Sequence, residues 1–299
     1  MSEPSDCLEI LRQLVAIPSV NPAMSDDPEL RGEARLVDWL EPWFAAKGFR
    51  TRRLEMTAGR PNLLAEWGAA RPRKTILFES HLDTVGVSGF QGHPFELRQD
   101  QGRLYGRGAC DTKGPMAAFM GALSADVLAA LDASGVRLIW LGAIGEETGN
   151  LGAEEAIADG LRADACVVLE PTDLRIIHAH KGVVWFTAAT RGRAVHASAP
   201  EYGDNAILKM PAVWQIMEEA TEAAAEQFRD SPLGRPTFSV GTIHGGTGAN
   251  IVPDRCTIQV DRRLMPGETA AAVIADLRAR FQAIPGGVEI DVEKEGLPF

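Results

Sequence analysis

The segment 75-TILFESHLDTVG-86 decides the fold of the first half of the chain. Residues 76–78 are apolar and predict a buried β-strand, but this strand leads directly into His81 and Asp83. An imidazole and a carboxylate at the end of a buried strand must each be paired or solvated. We therefore expect the strand to end where polar side chains from several segments meet.

Composition and charge limit the possible classes of protein. The chain has 299 residues, of which 45% are hydrophobic and 24% charged, enough for a large core and two domains. A net charge of −11 would repel phosphate backbones and anionic lipids, which excludes nucleic acid and membrane surfaces and leaves small molecules as partners. The N-terminal residues are acidic and Asp126 interrupts the longest apolar stretch, so we expect no signal peptide, no membrane span and a cytoplasmic protein. The four cysteines form no C-x-x-C pair, which argues against a thiolate zinc site.

The order of predicted elements indicates two domains. Strands and helices alternate over residues 1–180, which predicts an α/β domain with a mostly parallel sheet and helices on both faces. We expect one of its helices to run from about Pro115 to Leu131. From Lys181 the order changes to βαββαβ, which predicts a ferredoxin-like second domain over residues 181–295.

Carboxylates follow the predicted strands of the first domain. In an open parallel sheet, ligands bind at the carboxyl ends of the strands. The polar residues at these ends, together with the turn 106-GRGACDTKG-114, are His81, Asp83, Asp111, Glu146, Glu147 and Glu170. Five carboxylates in one place would repel one another unless cations lay among them. Oxygen ligands with one imidazole suit zinc, cobalt or manganese better than calcium.

The chemistry of these side chains suggests roles for some of them. His81 can bind zinc through one ring nitrogen, while the carboxylate of Asp83 accepts the N–H of the other. The side chains of Glu146 and Glu147 are adjacent, so they cannot both point the same way along an extended backbone. One of the two can therefore bind metal while the other acts as a base.

The chain resembles the family of metallohydrolases that includes acetylornithine deacetylase, succinyl-diaminopimelate desuccinylase, aminoacylase and glutamate carboxypeptidase. The motifs that carry the resemblance occur in order as SHLDTV (80–85), GRGACDTKG (106–114), GEETG (145–149), LEPT (169–172), RGRAVHASAP (191–200) with DNAI (204–207), and GANIVPDRCTIQVDRRLMPGE (248–268). The resemblance implies a zinc-exopeptidase-like α/β domain and an inserted ferredoxin-like lid and dimerisation domain. The stretches IHGGTGAN and LMPGE look most similar to the acetylornithine deacetylase branch.

The resemblance also implies a centre with two zinc ions per chain, for which cobalt or manganese could substitute. His81 and Glu170 would bind one ion and Glu147 the other, and Asp111 would bridge both. Asp83 would then be the carboxylate that orients the imidazole.

Further roles implied by the resemblance concern catalysis and substrate binding. Glu146 would act as the general base. His196 would stabilise the oxyanion, reaching in from the partner subunit of a homodimer. Asn250 and Arg263 would hold the carboxylate of the substrate.

One histidine of the family pattern is absent from this sequence. The family supplies its second zinc with a late histidine, whereas the last histidine here is His244. We expect that the chain has no return segment to the catalytic domain after about residue 295. On that basis we expect at most one tightly bound metal and little activity from the chain as given.

Structural explanations exist for the same residues. His81 could be a half-buried histidine, Glu146 and Glu147 could begin a helix, and Asp111 could cap one. A loop position such as that of His196 is more often solvated than catalytic. Arg263 could pair with Asp261 on the surface, Asn250 could serve a turn, and Glu170 could be a strand-end turn residue. We interpret Glu154 and Glu155 as a solvated helix face.

Taken together, the residues and the resemblance predict a zinc-dependent amidohydrolase. Its substrates would be N-acyl amino acids or small peptides, and its reaction would be similar to that of acetylornithine deacetylase. The alternative is a truncated, non-catalytic dimerising or binding protein on the same scaffold. Metal content and turnover discriminate the two.

Overall fold

The computed structural model describes residues 4–298. It divides between Leu174 and Arg175 into two compact units, a few residues before the predicted domain limit at residue 180. We call the part up to Leu174 the first unit and the part from Arg175 the second unit.

The first unit combines helices with a five-stranded sheet. Its helices are α1 (Pro4–Ala16), α2 (Ala34–Ala46), α3 (Lys113–Ala122), α4 (Ala125–Ser134) and α5 (Leu151–Ala158). Its strands are β1 (Arg50–Thr57), β2 (Arg60–Trp67), β3 (Lys74–His81), β4 (Arg98–Asp100), β5 (Arg103–Tyr105), β6 (Val136–Ala143) and β7 (Ala165–Val168). Strands β4 and β5 form a separate two-stranded ribbon.

The five-stranded sheet is mixed, in the order β1-β2-β6-β3-β7. Strands β6, β3 and β7 are parallel, whereas β1, β2 and β6 are antiparallel. The predicted α/β class is confirmed, with fewer parallel pairings than the alternation of elements indicated. The reason is local: Thr57 pairs with Arg60 across a two-residue hairpin, and Gly59 adopts φ +74° in that turn.

From Leu138 to Ala143 the central strand β6 is buried on both faces, which explains the continuous apolar sequence of that part. Leu138 and Trp140 pack with α1, α2 and α3, and Trp140 stacks on Phe44 with ring centroids 4.7 Å apart. Ile139 and Leu141 point to the opposite face, into a second cluster that includes Ala156 of α5. Helices therefore cover both faces of the sheet, as predicted.

The helix predicted from Pro115 to Leu131 is two helices. Helices α3 and α4 meet at an angle of 76°. Ser124 starts the second helix because its Oγ accepts a hydrogen bond from the Val127 N–H at 3.3 Å. No single helix within residues 4–298 is long and apolar enough to cross a membrane. The bent pair of α3 and α4 together has the length and apolar composition of a membrane span. Met116 and Met120 of α3, however, lie in the protein core.

The second unit has the predicted βαββαβ order. It consists of β8 (Gly182–Arg191), α6 (Ala206–Ala225), β9 (Thr237–Gly245), β10 (Arg255–Leu264), α7 (Ala270–Phe281) and β11 (Val288–Gly296). The sheet is antiparallel, in the order β11-β8-β10-β9. Phe186 and Ala188 pack against both helices, whereas Trp185 on the other face is 41% exposed. This alternation is that of a sheet covered on one face.

A buried ion pair joins the segment before α2 to the start of β2. The guanidinium of Arg60 donates two hydrogen bonds to the carboxylate of Glu33, with an Nε–Oε2 distance of 3.0 Å. Glu33 is fully buried and Arg60 is 18% exposed. Removal of one partner from a buried pair leaves an uncompensated charge.

We expect Arg60→Ala to lower the free energy of unfolding by about 3–5 kcal/mol, because Glu33 would keep a buried charge without a partner. The matched control is Arg53→Ala. Arg53 is also an arginine in ion pairs, with the carboxylates of Asp38 and Glu41, but its side chain is 36% exposed. Such a surface pair contributes about 0.2–1 kcal/mol. Urea-induced unfolding measures both losses, and equal losses would contradict the prediction.

Candidate metal centre

The carboxyl ends of the parallel strands bring the predicted ligands together. His81 ends β3, Glu147 lies in a 3₁₀ turn (Glu146–Thr148) just after β6, and Glu170 follows β7. Asp111 lies two residues before α3. Ligand atoms of His81, Asp111 and Glu147 all lie within 4.8 Å of one another. Within residues 4–298, His81 is the one imidazole of this cluster.

His81 is 1% exposed and presents Nε2 to the carboxylates. Its Nε2 lies 2.8 Å from Asp111 Oδ1 and 3.7 Å from Glu170 Oε1. Its Nδ1 lies 2.8 Å from the main-chain oxygen of Asp83. A carbonyl oxygen can only accept, so Nδ1 carries a proton, and it is Nε2, beside the Asp111 carboxylate, that would give up its proton and offer a lone pair to a cation.

The carboxylate of Asp83 has a different environment from the predicted one. It lies 3.7 Å from His81 Nδ1, so the main-chain oxygen of Asp83 orients the ring instead. Its Oδ1 accepts the N–H of Glu146 at 3.0 Å, and its Oδ2 accepts the N–H of Glu147 at 3.1 Å. The carboxylate therefore caps the turn that carries both glutamates, which is a favourable place for a negative charge.

The turn after β6 fixes Glu147 at both its main chain and its side chain. The Glu147 carboxylate accepts the N–H of Val85 at 3.1 Å. Gly145 has φ +71°, and a Cβ at that position would lie 3.3 Å from the guanidinium of Arg60. The alternative that Glu146 and Glu147 begin a helix is realised as one short 3₁₀ turn, which does not exclude metal binding.

Thr112 links the segment of Asp111 to that of Glu170, because its hydroxyl donates to the main-chain oxygen of Leu169. Thr112, rather than Asp111, occupies the N-cap position of α3. Asp111 is therefore not the cap that a structural explanation would require. Its side chain is 55% exposed and that of Glu170 36%, so this edge of the centre is open to solvent.

The electrostatics show an excess of negative charge around one imidazole. Burial opposes protonation of His81, but the nearby carboxylates of Asp83 and Asp111 outweigh it and raise the pKa of His81 to about 10. Burial raises the pKa of Glu147 and that of Glu170. His81 lowers both pKa values and the neighbouring carboxylates raise them, but the net shift is upward. A divalent cation would relieve this repulsion, so the donor set fits zinc or a similar ion.

Three polar side chains of the first unit, the half-buried Glu79 and the buried Glu155 and Asn62, were not identified from the sequence. Burial raises the pKa of Glu79 to about 7, and this residue lies two positions before His81 on the same face of β3. Glu155, predicted to be solvated, is 7% exposed and accepts hydrogen bonds from Thr57 and Asn62. The sequence signal for this buried network is Asn62, a polar residue among the apolar residues of β2. The side chain of Asn62 also accepts the N–H of Ile144 at 2.9 Å.

In the second unit, His196 and Asn250 lie on paired segments. His196 forms a β-bridge with Ile251, and the N–H of Ala197 donates to the main-chain oxygen of Asn250 at 2.9 Å. The Nδ1 of His196 accepts the main-chain N–H of Ser198 at 3.2 Å and lies 2.7 Å from the Ser198 Oγ, whose hydroxyl can donate to the same nitrogen. The neutral ring therefore carries its proton on Nε2, where it can be donated.

Arg263 has an ion pair of its own on the surface of the second unit. Its guanidinium donates two hydrogen bonds to the carboxylate of Asp261, at 2.8 and 3.0 Å, which is the surface pair considered as an alternative. Arg263 lies at the far end of β10, about 26 Å from Arg255 at 3.3 Å per residue.

Comparison with known proteins places both units. Residues 178–288 match the family described as peptidase dimerisation domain, and residues 62–183 match peptidase family M28. Acetylornithine deacetylase from Vibrio vulnificus is 30% identical over 305 residues, which cover 97% of this chain and 78% of that protein. The enzyme of the same name from Proteus mirabilis is 30% identical, with coverage of 97% and 76%.

Solved structures share the fold at lower identity. The aminopeptidase PepT from Bacillus cereus superposes with a TM-score of 0.72 at 22% identity, covering 97% of this chain and 75% of that chain. An M20 family metallo-carboxypeptidase from Sulfolobus solfataricus superposes with a TM-score of 0.71 at 20% identity, covering 100% and 79%. These likenesses confirm the arrangement of a mixed α/β unit and a separate antiparallel unit.

We expect the Zn²⁺ ion that binds His81 to release about one proton at neutral pH, because His81 with a pKa of about 10 is protonated before the metal takes Nε2. Protons compete with the metal for His81, so the affinity for the ion rises with pH below the pKa of His81. Calorimetric titration in buffers of different ionisation enthalpy measures the release. His93→Ala, which alters another histidine of the first unit, is the control and should release the same number. Affinity that does not change with pH would contradict the prediction.

Proposed function

We propose that this chain, which belongs to the M20 family of metallohydrolases, is a zinc-dependent amidohydrolase. That family includes the acetylornithine deacetylases that the chain matches at 30% identity. Its proposed reaction is hydrolysis of the amide bond in N-acyl amino acids or small peptides, with acetylornithine-like deacylation first among them. The observation that carries the proposal is the convergence of His81, Asp111 and Glu147 at the carboxyl edge of the sheet.

The proposed metal ligands are side chains that the fold already holds in place. His81 and Glu170 would hold one ion, Glu147 a second, and Asp111 would lie between them. A divalent ion bound there supplies Lewis-acid polarisation of the amide carbonyl and lowers the pKa of a water molecule. The protein contributes the orientation of its ligands through the Asp83 main-chain oxygen and the N–H of Val85.

Glu146 is the proposed general base. Its main-chain N–H is held by the Asp83 carboxylate at 3.0 Å, next to the Glu147 ligand. From that position its carboxylate would accept a proton from the attacking water and then deliver it to the leaving amine. Both proton transfers use one carboxylate, which ends each cycle ionised as it began.

His196 is the proposed donor to the oxyanion that forms on the amide carbonyl. The main-chain N–H of Ser198 leaves the proton of the neutral ring on Nε2, which suits a donor. The match to a peptidase dimerisation domain supports a homodimer, in which His196 would act on the partner's centre. Asn250 and Arg263 are the proposed ligands of the substrate carboxylate.

The test is elemental metal analysis together with hydrolysis assays on a panel of N-acyl amino acids, including N-acetylornithine and small peptides. We expect slow, metal-dependent release of the free amine, in keeping with the low activity expected from the sequence, abolished by a chelator and restored by zinc or cobalt. Bound metal without turnover on any substrate of the panel would instead favour a non-catalytic binding protein on the same scaffold.

We expect Glu146→Gln to lower kcat by about 10²–10⁴-fold without loss of metal, because the amide keeps the shape of the side chain but cannot accept a proton. The matched control is Glu154→Gln, which alters an exposed glutamate of α5 and should leave kcat unchanged. Steady-state kinetics and metal analysis provide the two measurements. A kcat within a few-fold of the parent value would refute the assignment of the base.

We expect His196→Ala to lower kcat by about 10²–10³-fold with little change in KM or metal content, because its target exists only in the transition state. His178→Ala, at an exposed histidine outside the proposed site, is the control. A change in KM alone would show that His196 binds the ground state instead.

A further inference from the structure

Asn21 is a buried polar residue for which the proposed reaction has no role. It is 1% exposed and lies in the connection between α1 and α2. Its main-chain N–H donates to the Thr84 oxygen at 2.8 Å, and the Thr84 N–H donates to the Ser19 oxygen at 3.0 Å. Residues 19–21 therefore run alongside the segment that follows His81.

The side-chain amide of Asn21 joins this segment to the metal-centre turn. Its Nδ2 donates to Asp83 Oδ2 at 2.6 Å and to Thr148 Oγ at 3.1 Å. Its Oδ1 accepts the N–H of Ala23 at 3.0 Å, and this bond fixes which end of the amide faces Asp83. The amide thus contacts both Asp83 and the last residue of the turn that contains Glu146 and Glu147.

Asp83 needs these donors because its carboxylate is fully buried. An ionised carboxylate away from water is costly unless hydrogen bonds compensate it. Of the three N–H donors described for it, two belong to the main chain of the turn and the third is Asn21. Asn21 therefore supplies the side-chain hydrogen bond that fixes the Asp83 carboxylate, and this carboxylate in turn holds the main chain of Glu146 and Glu147.

From these contacts we infer that Asn21 is a positioning residue of the metal centre. Through Asp83 and Thr148 it holds the turn that presents Glu147 to the cation, although it touches neither the cation nor the ligand side chain. The inference rests on the proposed metal-dependent function. According to this inference, Asn21 contributes to the affinity of the centre for a divalent ion.

The test is titration of the metal-free protein with Co²⁺, followed by visible absorption and calorimetry. Loss of a group that orients a metal ligand typically lowers metal affinity about 10–100-fold. We expect a loss in this range for Asn21→Leu, with an altered Co²⁺ absorption band because the Glu147 ligand moves. We also expect faster hydrogen exchange of the Glu146 and Glu147 amides in the metal-free variant.

Two further variants guard against a simple folding defect. Thr148→Val removes one acceptor of Asn21 and leaves Asp83 intact, so we expect a smaller loss of affinity in the same direction. Ser124→Ala removes the N-cap bond of α4 in the same unit and should leave Co²⁺ affinity and spectrum unchanged. This control measures the effect of a general loss of stability on the titration.

The outcomes separate the two proposals. If the wild-type protein binds no Co²⁺, the proposed metal function fails, whatever Asn21 does. If the wild type binds and Asn21→Leu binds within about threefold with the same spectrum, the inference on Asn21 is overturned. Should Asn21→Leu not fold, an unchanged Co²⁺ affinity and spectrum in Thr148→Val would overturn it equally.

Discussion

The buried carboxylate of Asp83 accepts N–H groups from Glu146, Glu147 and Asn21, while its main-chain oxygen holds the ring of His81. One residue thus connects the end of β3 with the turn after β6 and with the α1–α2 connection. These donors and the proximity of His81 hold the pKa of Asp83 below its usual range, against burial, which would raise it. Loss of this negative charge would release the main chain of both glutamates at once.

The same arrangement concentrates charge that the protein alone does not neutralise. His81 is surrounded by acidic side chains, and the pKa of Glu147 is raised largely by burial. Repulsion between these carboxylates destabilises the folded state unless an opposite charge compensates it, because like charges at close range repel one another. A divalent cation would supply that compensation, and binding of metal would then be linked to order in the centre.

Much of this could be predicted from the sequence because it depends on local patterns. Apolar runs identify the strands, and the first polar residue after each run marks a carboxyl end. Parallel neighbours must then place His81, Glu147 and Glu170 at one edge of a sheet. The βαββαβ order likewise indicated a ferredoxin-like second unit from periodicity alone. The break between α3 and α4 was missed, because apolar residues continue across Ser124 and periodicity does not register a cap.

The sequence by itself therefore determined the class of each unit and the identity of the residues that meet at the sheet edge. Tertiary structure alone decided which atoms of those residues touch. Asp83 orients His81 through its main chain, Arg263 pairs with Asp261, and Asn21 reaches Asp83 from 62 positions away in the chain. Periodicity records which face of a segment is buried, but it carries no information on which distant segment covers that face. Hydrogen-bond partners in a buried network depend on distances of a few tenths of an ångström, and only packing of the whole unit sets these.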